Sequence, residues 1–301
     1  TCYAGVSHLG GKLEVPSRLY KYMSANTAKL VLESQKLRWS CPSSFNDINE
    51  LQRMPAFKPS IDACKDEYLK TLMNVAYEEL QLNKSLSPDS EGLVSLMQMT
   101  KSQGVGKDTL YRELSSLELN LSSLEDNLRE ETERYNNGAL RIICLSEDEN
   151  NEVMWAHYGD NHTGCMFEFR HIEKLDTPFQ MAKKVTYTDS TPNLGSALDF
   201  LLYDERQELL AKTADAIYYT KTAKWEYEKE WRVMTRRPGE DKRYSDFEFY
   251  KEELVSVTFS ARIADEDLTD LVSLIAAHYP QCKMYKVQSV KGKIERVEFD
   301  G

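Results

Sequence analysis

Three carboxylates, two tryptophans and an arginine stand within the eight residues Trp225-Glu226-Tyr227-Glu228-Lys229-Glu230-Trp231-Arg232, directly before Val233-Met234. The aromatic and β-branched content points to a strand, on which side chains alternate between faces. Glu228 and Glu230 then share one face, and Tyr227, Lys229 and Trp231 share the other. Two carboxylates about 7 Å apart can divide labour: one stabilises a developing cation or bonds a sugar hydroxyl, and the other orients or deprotonates a second reactant. Glu-Lys alternation beside Trp-Arg is equally the pattern of a solvated strand edge.

Other residues could serve the same chemistry. Ile142-Ile143-Cys144-Leu145-Ser146-Glu147 is an apolar strand ending in a hydroxyl, which either caps the next turn or touches a sugar or phosphate. In the following helix, Trp155 and Tyr158 are three apart on one face, suited to a core and also to stacking on a ring. His157 and His162 are five apart across a glycine, a poor spacing for a metal on a helix. Asn46 and Asp47, in the loop Ser43 to Glu50, suit an Asx turn or the polar rim of a pocket. No Gly-x-Gly-x-x-Gly, phosphate-binding P-loop or Gly-x-Ser-x-Gly is present.

The elements that must position these groups follow from periodicity. Residues 1–17, with Gly5, Gly10, Gly11 and Pro16, read as a flexible lead-in, and 18–58 as the first part of an α+β core. That part holds a strand over 19–22, an amphipathic helix over 26–35 and a strand over 36–40. Residues 59–138 change character, with helical spacing over 66–82, 91–99 and 108–135, and read as a helical insertion. In 139–301 short strands (140–145, 165–169, 184–187, 230–234, 254–259, 283–287, 296–299) mix with helices (152–158, 195–222, 265–278) without regular βαβ alternation. This argues for an α+β fold with a mostly antiparallel sheet.

Composition narrows the function classes. The 301 residues are 41% hydrophobic, enough to bury a substantial core. Lys plus Arg total 38 against 49 Asp plus Glu, a net charge of −11, which opposes broad binding to nucleic acid or an anionic membrane. The most basic window, 221–243, holds eight Lys/Arg against five Asp/Glu, a modest excess. No stretch approaches ~20 consecutive apolar residues, and Thr1 to Pro16 lack a signal layout. Six scattered cysteines without Cys-x-x-Cys read as free thiols of a cytoplasmic protein.

Taken together, several runs resemble the bacterial and phage family called domain of unknown function 2971. They are Leu19-Tyr20-Lys21-Tyr22, Trp39-Ser40-x-Pro42-x-x-Phe45-Asn46-Asp47-x-x-Glu50, Cys144-x-Ser146-Glu147 and Met154-Trp155-x-His157-Tyr158 with Gly164. Further along come Lys221-x-x-x-Trp225-x-Tyr227-Glu228-x-Glu230-x-Arg232 and Val257-x-Phe259-x-x-Arg262. Ile48-Asn49 depart from the family's usual Pro-Phe, and Ser260 from a common glycine. The order of elements also resembles the ADP-ribosyltransferase superfamily, which implies a split antiparallel sheet that holds NAD. By that resemblance Glu230 bonds the ribose 2′-hydroxyl while the cation develops, Glu228 orients the acceptor, and Ser146 braces the ribose. Arg18, Lys21 and Tyr22 compete as the first-strand NAD contact, with Trp155, His157, Tyr158, Asn46 and Asp47 lining the site.

The expectation is therefore an NAD-using ADP-ribosyltransferase or NAD-cleaving enzyme, in the company of toxins and phage-conflict effectors, with an unknown macromolecular acceptor and no metal. Two rivals stand beside it. One is a non-enzymatic nucleotide-binding or regulatory module in which Arg232 clasps an acid while Trp225 and Trp231 fill the core. The other is a Mg²⁺-dependent nuclease using Asp47, Glu50, Glu228 and Glu230.

Overall fold

The strands read over Lys36–Ser40 and Cys165–Phe169 are strands in the computed structural model, which describes residues 15–47, 55–116, 130, 139–203, 206–237 and 242–300. The fold is α+β, built on a mixed, mostly antiparallel ten-stranded sheet. Its strands are β1 (Leu19–Met23), β2 (Lys36–Ser40), β3 (Leu140–Ser146), β4 (Cys165–Phe169), β5 (Lys183–Lys184), β8 (Glu230–Arg236), β9 (Tyr244–Glu248), β10 (Leu254–Phe259), β11 (Lys283–Val290) and β12 (Lys293–Glu298). They run in the order β12-β11-β10-β4-β1-β3-β2-β9, with β8 paired to β3 and β5. Only β10 and β11 are parallel in this sheet; two further short strands, β6 (Thr186–Tyr187) and β7 (Thr220–Lys221), pair in parallel apart from it.

The chain divides into two compact units, one of residues 1–50, 134–189 and 219–301 and the other of 51–133 and 190–218. The first contains the sheet. Tyr20 lies opposite Ser146, and Ser146 opposite Glu230, so Tyr20, Tyr22, Cys144, Ser146, Glu230 and Arg232 share one face. The alternate residues Leu19, Met23, Ile143, Leu145, Trp231 and Val233 turn to the other face. There they are buried in the main core with Ala28, Val31 and Leu32 of α1 (Ala25–Ser34) and Leu271 and Ile275 of α8 (Asp265–His278). Burying such side chains contributes about 1.5–3 kcal/mol each, so the pattern fixes the register as well as the fold. Helix α1 starts where Ser24 Oγ accepts the Thr27 N–H and ends at Gln35, whose left-handed φ of 55° lets its N–H reach the Val31 carbonyl.

The second unit is helical, with α2 (Ile61–Ala76), α3 (Pro88–Ser102), α4 (Lys107–Ser116), α6 (Ala197–Tyr203) and α7 (Arg206–Tyr218). Tyr68, Leu69, Leu72 and Met73 of α2 pack with Val94, Met97, Leu110, Leu201 and Leu202. The hydroxyls of Ser87 and Ser90 both donate to the Leu201 carbonyl, at 3.2 and 2.9 Å.

Several expectations are corrected. Residues 223–228 form a 3₁₀ helix and Lys229 has a left-handed φ of 44°, so the strand starts at Glu230 as expected over 230–234 but the alternation read through 225–229 fails; propensity at Trp225 and Tyr227 gave way to packing of that turn against residues 152–157 and β6. The helix expected over 195–222 is the pair α6 and α7 followed by β7. The strand expected over 184–187 is broken at Val185, whose N–H bonds the Glu230 carbonyl. Strand β9 was not anticipated, because its burial is partial and its charges alternate with aromatics. The lead-in up to residue 14, Glu50 and most of 117–138 lie outside the described residues.

Candidate functional site

Strand β3 pairs with β8 along its whole length, from Leu140 opposite Arg236 to Ser146 opposite Glu230. Its other edge is shared: β1 meets it at Ser146 and β2 meets it at Ile142. The sheet therefore forks between β1 and β2. The Cys144 carbonyl lies between the two pairing points and accepts the Lys21 ammonium at 2.8 Å. A cavity of about 410 Å³ occupies the fork, lined by Tyr20, Lys21 and Tyr22 of β1, Arg38 and Ser40 of β2, and Ile142, Cys144 and Ser146 of β3. Met154, His157 and Tyr158, from α5 (Glu152–His157) and its C-cap, line it too, as do Phe45 and Asn46 and the charged Lys221, Glu228 and Glu230.

Helix α5 is held in place by Asn151. Its side-chain oxygen accepts the N–H groups of Val153 and Met154, and its amide donates to the Tyr227 carbonyl at 2.6 Å. One residue thus joins the helix bearing His157 to the 3₁₀ turn bearing Glu228. The left-handed Lys229 then brings Glu228 and Glu230 to the same cation, which a continuous strand would have done only by alternation.

That cation is Lys221, only 4% exposed, whose Nζ donates to Glu228 at 2.7 Å and to Glu230 at 3.4 Å. Arg232, fully buried, binds Glu230 bidentately, Nε to Oε1 at 2.7 Å and Nη2 to Oε2 at 2.9 Å. Both Glu230 oxygens are therefore engaged, and the Cys144 thiol adds a further bond. Glu228 is less occupied. Its Oε1 accepts the Tyr158 hydroxyl at 2.6 Å, its Oε2 accepts Lys221, and each oxygen keeps a lone pair.

Burial is the largest influence on Glu230, Arg232, Tyr158, Cys144 and Lys221. It pushes the Glu230 carboxyl up, seconded by the neighbouring Glu228 charge and opposed by Lys221 and the Cys144 bond. It pulls Arg232 down to about 9, with Asp47 opposing, so the guanidinium stays charged at neutral pH. Burial also raises Tyr158, seconded by Glu228, so its hydroxyl remains a donor, and it raises the Cys144 thiol well above its usual range, so the thiol is not a poised nucleophile. Burial opposes the charge on Lys221, and Glu230 and Glu228 more than restore it, leaving the amine more basic than usual.

Of the residues expected at a site, Lys21, Tyr22, Ser146, His157, Tyr158, Asn46, Glu228 and Glu230 all line this cavity. Asn46 donates to the Tyr158 hydroxyl at 3.0 Å. Ser146 is committed: its Oγ donates to the Glu228 carbonyl at 2.7 Å and accepts the Asp148 N–H at 3.0 Å. Trp155 does not reach the cavity. It is 1% exposed and packs edge-on against Tyr22, with ring centroids 5.1 Å apart, so its place is in the core. Asp47 is not among the residues lining the cavity, and its charge acts on Arg232. Arg18 turns away to the buried Glu168. Among the described residues no three His, Cys, Asp or Glu side chains come together as metal ligands do. Sequence reasoning overlooked Lys221 and Arg38 as site residues; Arg232 was named as the clasp of an acid, and alternation places it two residues beyond Glu230 on the same face.

The stretch that carries most of this machinery is also the one that matches a known family. Residues 154–233 match the family described as protein of unknown function, DUF2971. The match takes in His157, Tyr158, Lys221, Glu228, Glu230 and Arg232, and leaves β1 and β2, the arms of the fork, outside it. No curated protein and no solved structure matches the chain.

Proposed function

We propose that the fork cavity takes an NAD-class nucleotide and that the protein is an NAD-dependent ADP-ribosyltransferase or NAD-cleaving enzyme. The observation that carries the reading is the convergence of two carboxylates, the Tyr22 and Tyr158 rings and the Lys21 arm on one cavity at a split in an antiparallel sheet. Breaking the bond to nicotinamide builds positive charge on the ribose, which a fixed carboxylate in a water-poor site stabilises.

Hydrogen-bond capacity assigns the roles differently from the family resemblance. Glu228 has lone pairs left for a ribose hydroxyl and is the carboxylate set against the ligand. Glu230, saturated by Arg232, Lys221 and Cys144, positions Lys221 and so fixes Glu228. The acceptor is a macromolecule or water.

The test is nicotinamide release from NAD⁺ by purified protein, with cell extract as a source of acceptors. Glu228→Gln is expected to lower turnover by at least about a hundredfold with the fold intact, the range for losing one transition-state contact. Wild-type protein that neither binds nor turns over NAD⁺ would refute the reading. A second reading, a nucleotide-binding module without catalysis, is favoured by the bidentate Arg232–Glu230 clasp; it predicts binding of NAD⁺ with no nicotinamide released.

A further inference from the structure

The cavity is chemically lopsided. On the β8 side two anions, Glu228 and Glu230, are bonded to two cations, Lys221 and Arg232. On the β2 side the lining is Arg38, Ser40 and Ser44, none of them part of that network. Arg38 is held on two sides. Its guanidinium carbon stacks 3.7 Å from the Tyr244 ring centroid, and its Nε donates to Asp246 at 3.2 Å. Asp246 lies directly opposite Arg38 across the β2–β9 ladder, and Tyr244 directly opposite Ser40, so the stack is a diagonal cross-strand pair.

Within the described residues this leaves both Nη groups without a hydrogen-bond partner, on a half-exposed guanidinium oriented by the Tyr244 stack and the Asp246 bond. The hydroxyls of Ser40 and Ser44, likewise without partners there, line the same cavity. A planar fork of N–H donors oriented in advance, with adjacent hydroxyls, matches the oxygens of a phosphate and loses little entropy on binding it.

We infer that Arg38, Ser40 and Ser44 form a phosphate subsite on the β2 arm of the fork, so that the ligand is a phosphate ester lying with its phosphate toward β2 and its sugar toward Glu228. This deepens the nucleotide reading of the same cavity and rests on it for the sugar end alone. Asp246 is a positioning residue: it occupies Nε and leaves the Nη donors for the ligand.

The test is calorimetric titration of the full chain with NAD⁺, nicotinamide mononucleotide, ADP-ribose, inorganic pyrophosphate and the phosphate-free nicotinamide riboside. Wild type is compared with Arg38→Gln and Arg38→Lys. Arg38→Gln is expected to weaken the phosphate-bearing probes about ten- to a hundredfold, as for loss of charged hydrogen bonds, and to leave the riboside unchanged. Arg38→Lys restores part of the loss, and added salt weakens wild type more than Arg38→Gln. The variant's unfolding midpoint, followed by tryptophan fluorescence, verifies the fold. Equal weakening of riboside and nucleotides, no weakening at all, or no binding of any phosphate-bearing probe by wild type would overturn the subsite. Arg38-dependent binding of ADP-ribose or pyrophosphate with neither nicotinamide compound nor NAD⁺ bound would keep it and sink the NAD reading instead.

Discussion

Replacing Glu230 by leucine isolates the buried clasp from the rest of the cavity. Arg232 has no exposed surface, and its guanidinium makes two bonds to Glu230, at 2.7 and 2.9 Å. Opposite charges about 4 Å apart at an effective dielectric near 20 attract by about 4 kcal/mol. Removing one partner of a buried pair costs about 3–5 kcal/mol. Asp47 also attracts Arg232, and Lys221 keeps its bond to Glu228, so Glu230→Leu is expected to cost about 3–5 kcal/mol, as is Arg232→Met.

The double variant exchanges the pair for apolar groups of similar size and is expected to cost less than either single change. All four tryptophans, Trp39, Trp155, Trp225 and Trp231, lie in the sheet-bearing unit, so fluorescence during urea unfolding reports on that unit. A coupling energy under about 1 kcal/mol in the double-mutant cycle would refute the argument, because the two charges would then not depend on each other.

Three further outcomes are expected. Glu168, buried among Ser256, Arg296 and Arg18, has its carboxyl held low by those hydrogen bonds despite burial, so its stabilisation is present above about 4.5 and is lost as pH falls through its depressed folded value. Glu168→Gln should flatten that acid limb in a pH series of unfolding midpoints; an unchanged limb would assign it to other groups. A Cβ on Gly164 would meet the Met23 carbonyl oxygen at 2.2 Å, a backbone atom that cannot swing aside, so Gly164→Ala should cost at least about 1–3 kcal/mol by the same fluorescence assay. Tyr158→Phe removes the donor to the buried Glu228 and the acceptor for Asn46, and should lower NAD⁺ turnover about tenfold and cost about 1.5–3 kcal/mol in the same unfolding assay.

Much of the frame was legible in the chain because it rests on local periodicity. β1, β2, β4, β10, α1 and α8 follow from alternation or helical spacing of apolar residues, and the structure places them within a residue or two of expectation. The α+β class and the largely antiparallel sheet follow from the order of those elements. The pairing of Glu228 with Glu230 was also legible as two acids near one cavity.

How they are brought together was not. Strand propensity at Trp225 and Tyr227 argued for alternation, whereas packing wound that segment into a 3₁₀ turn and a left-handed Lys229, a conformation that local preference disfavours and only tertiary contacts hold. β9 and the stacked Arg38 were invisible for a related reason: their meaning depends on a cross-strand partner some two hundred residues away. Composition and spacing decided which groups this protein has for chemistry. The fork in β3's pairing decided which of them meet, because a single edge shared by two strands leaves a gap that no local pattern encodes.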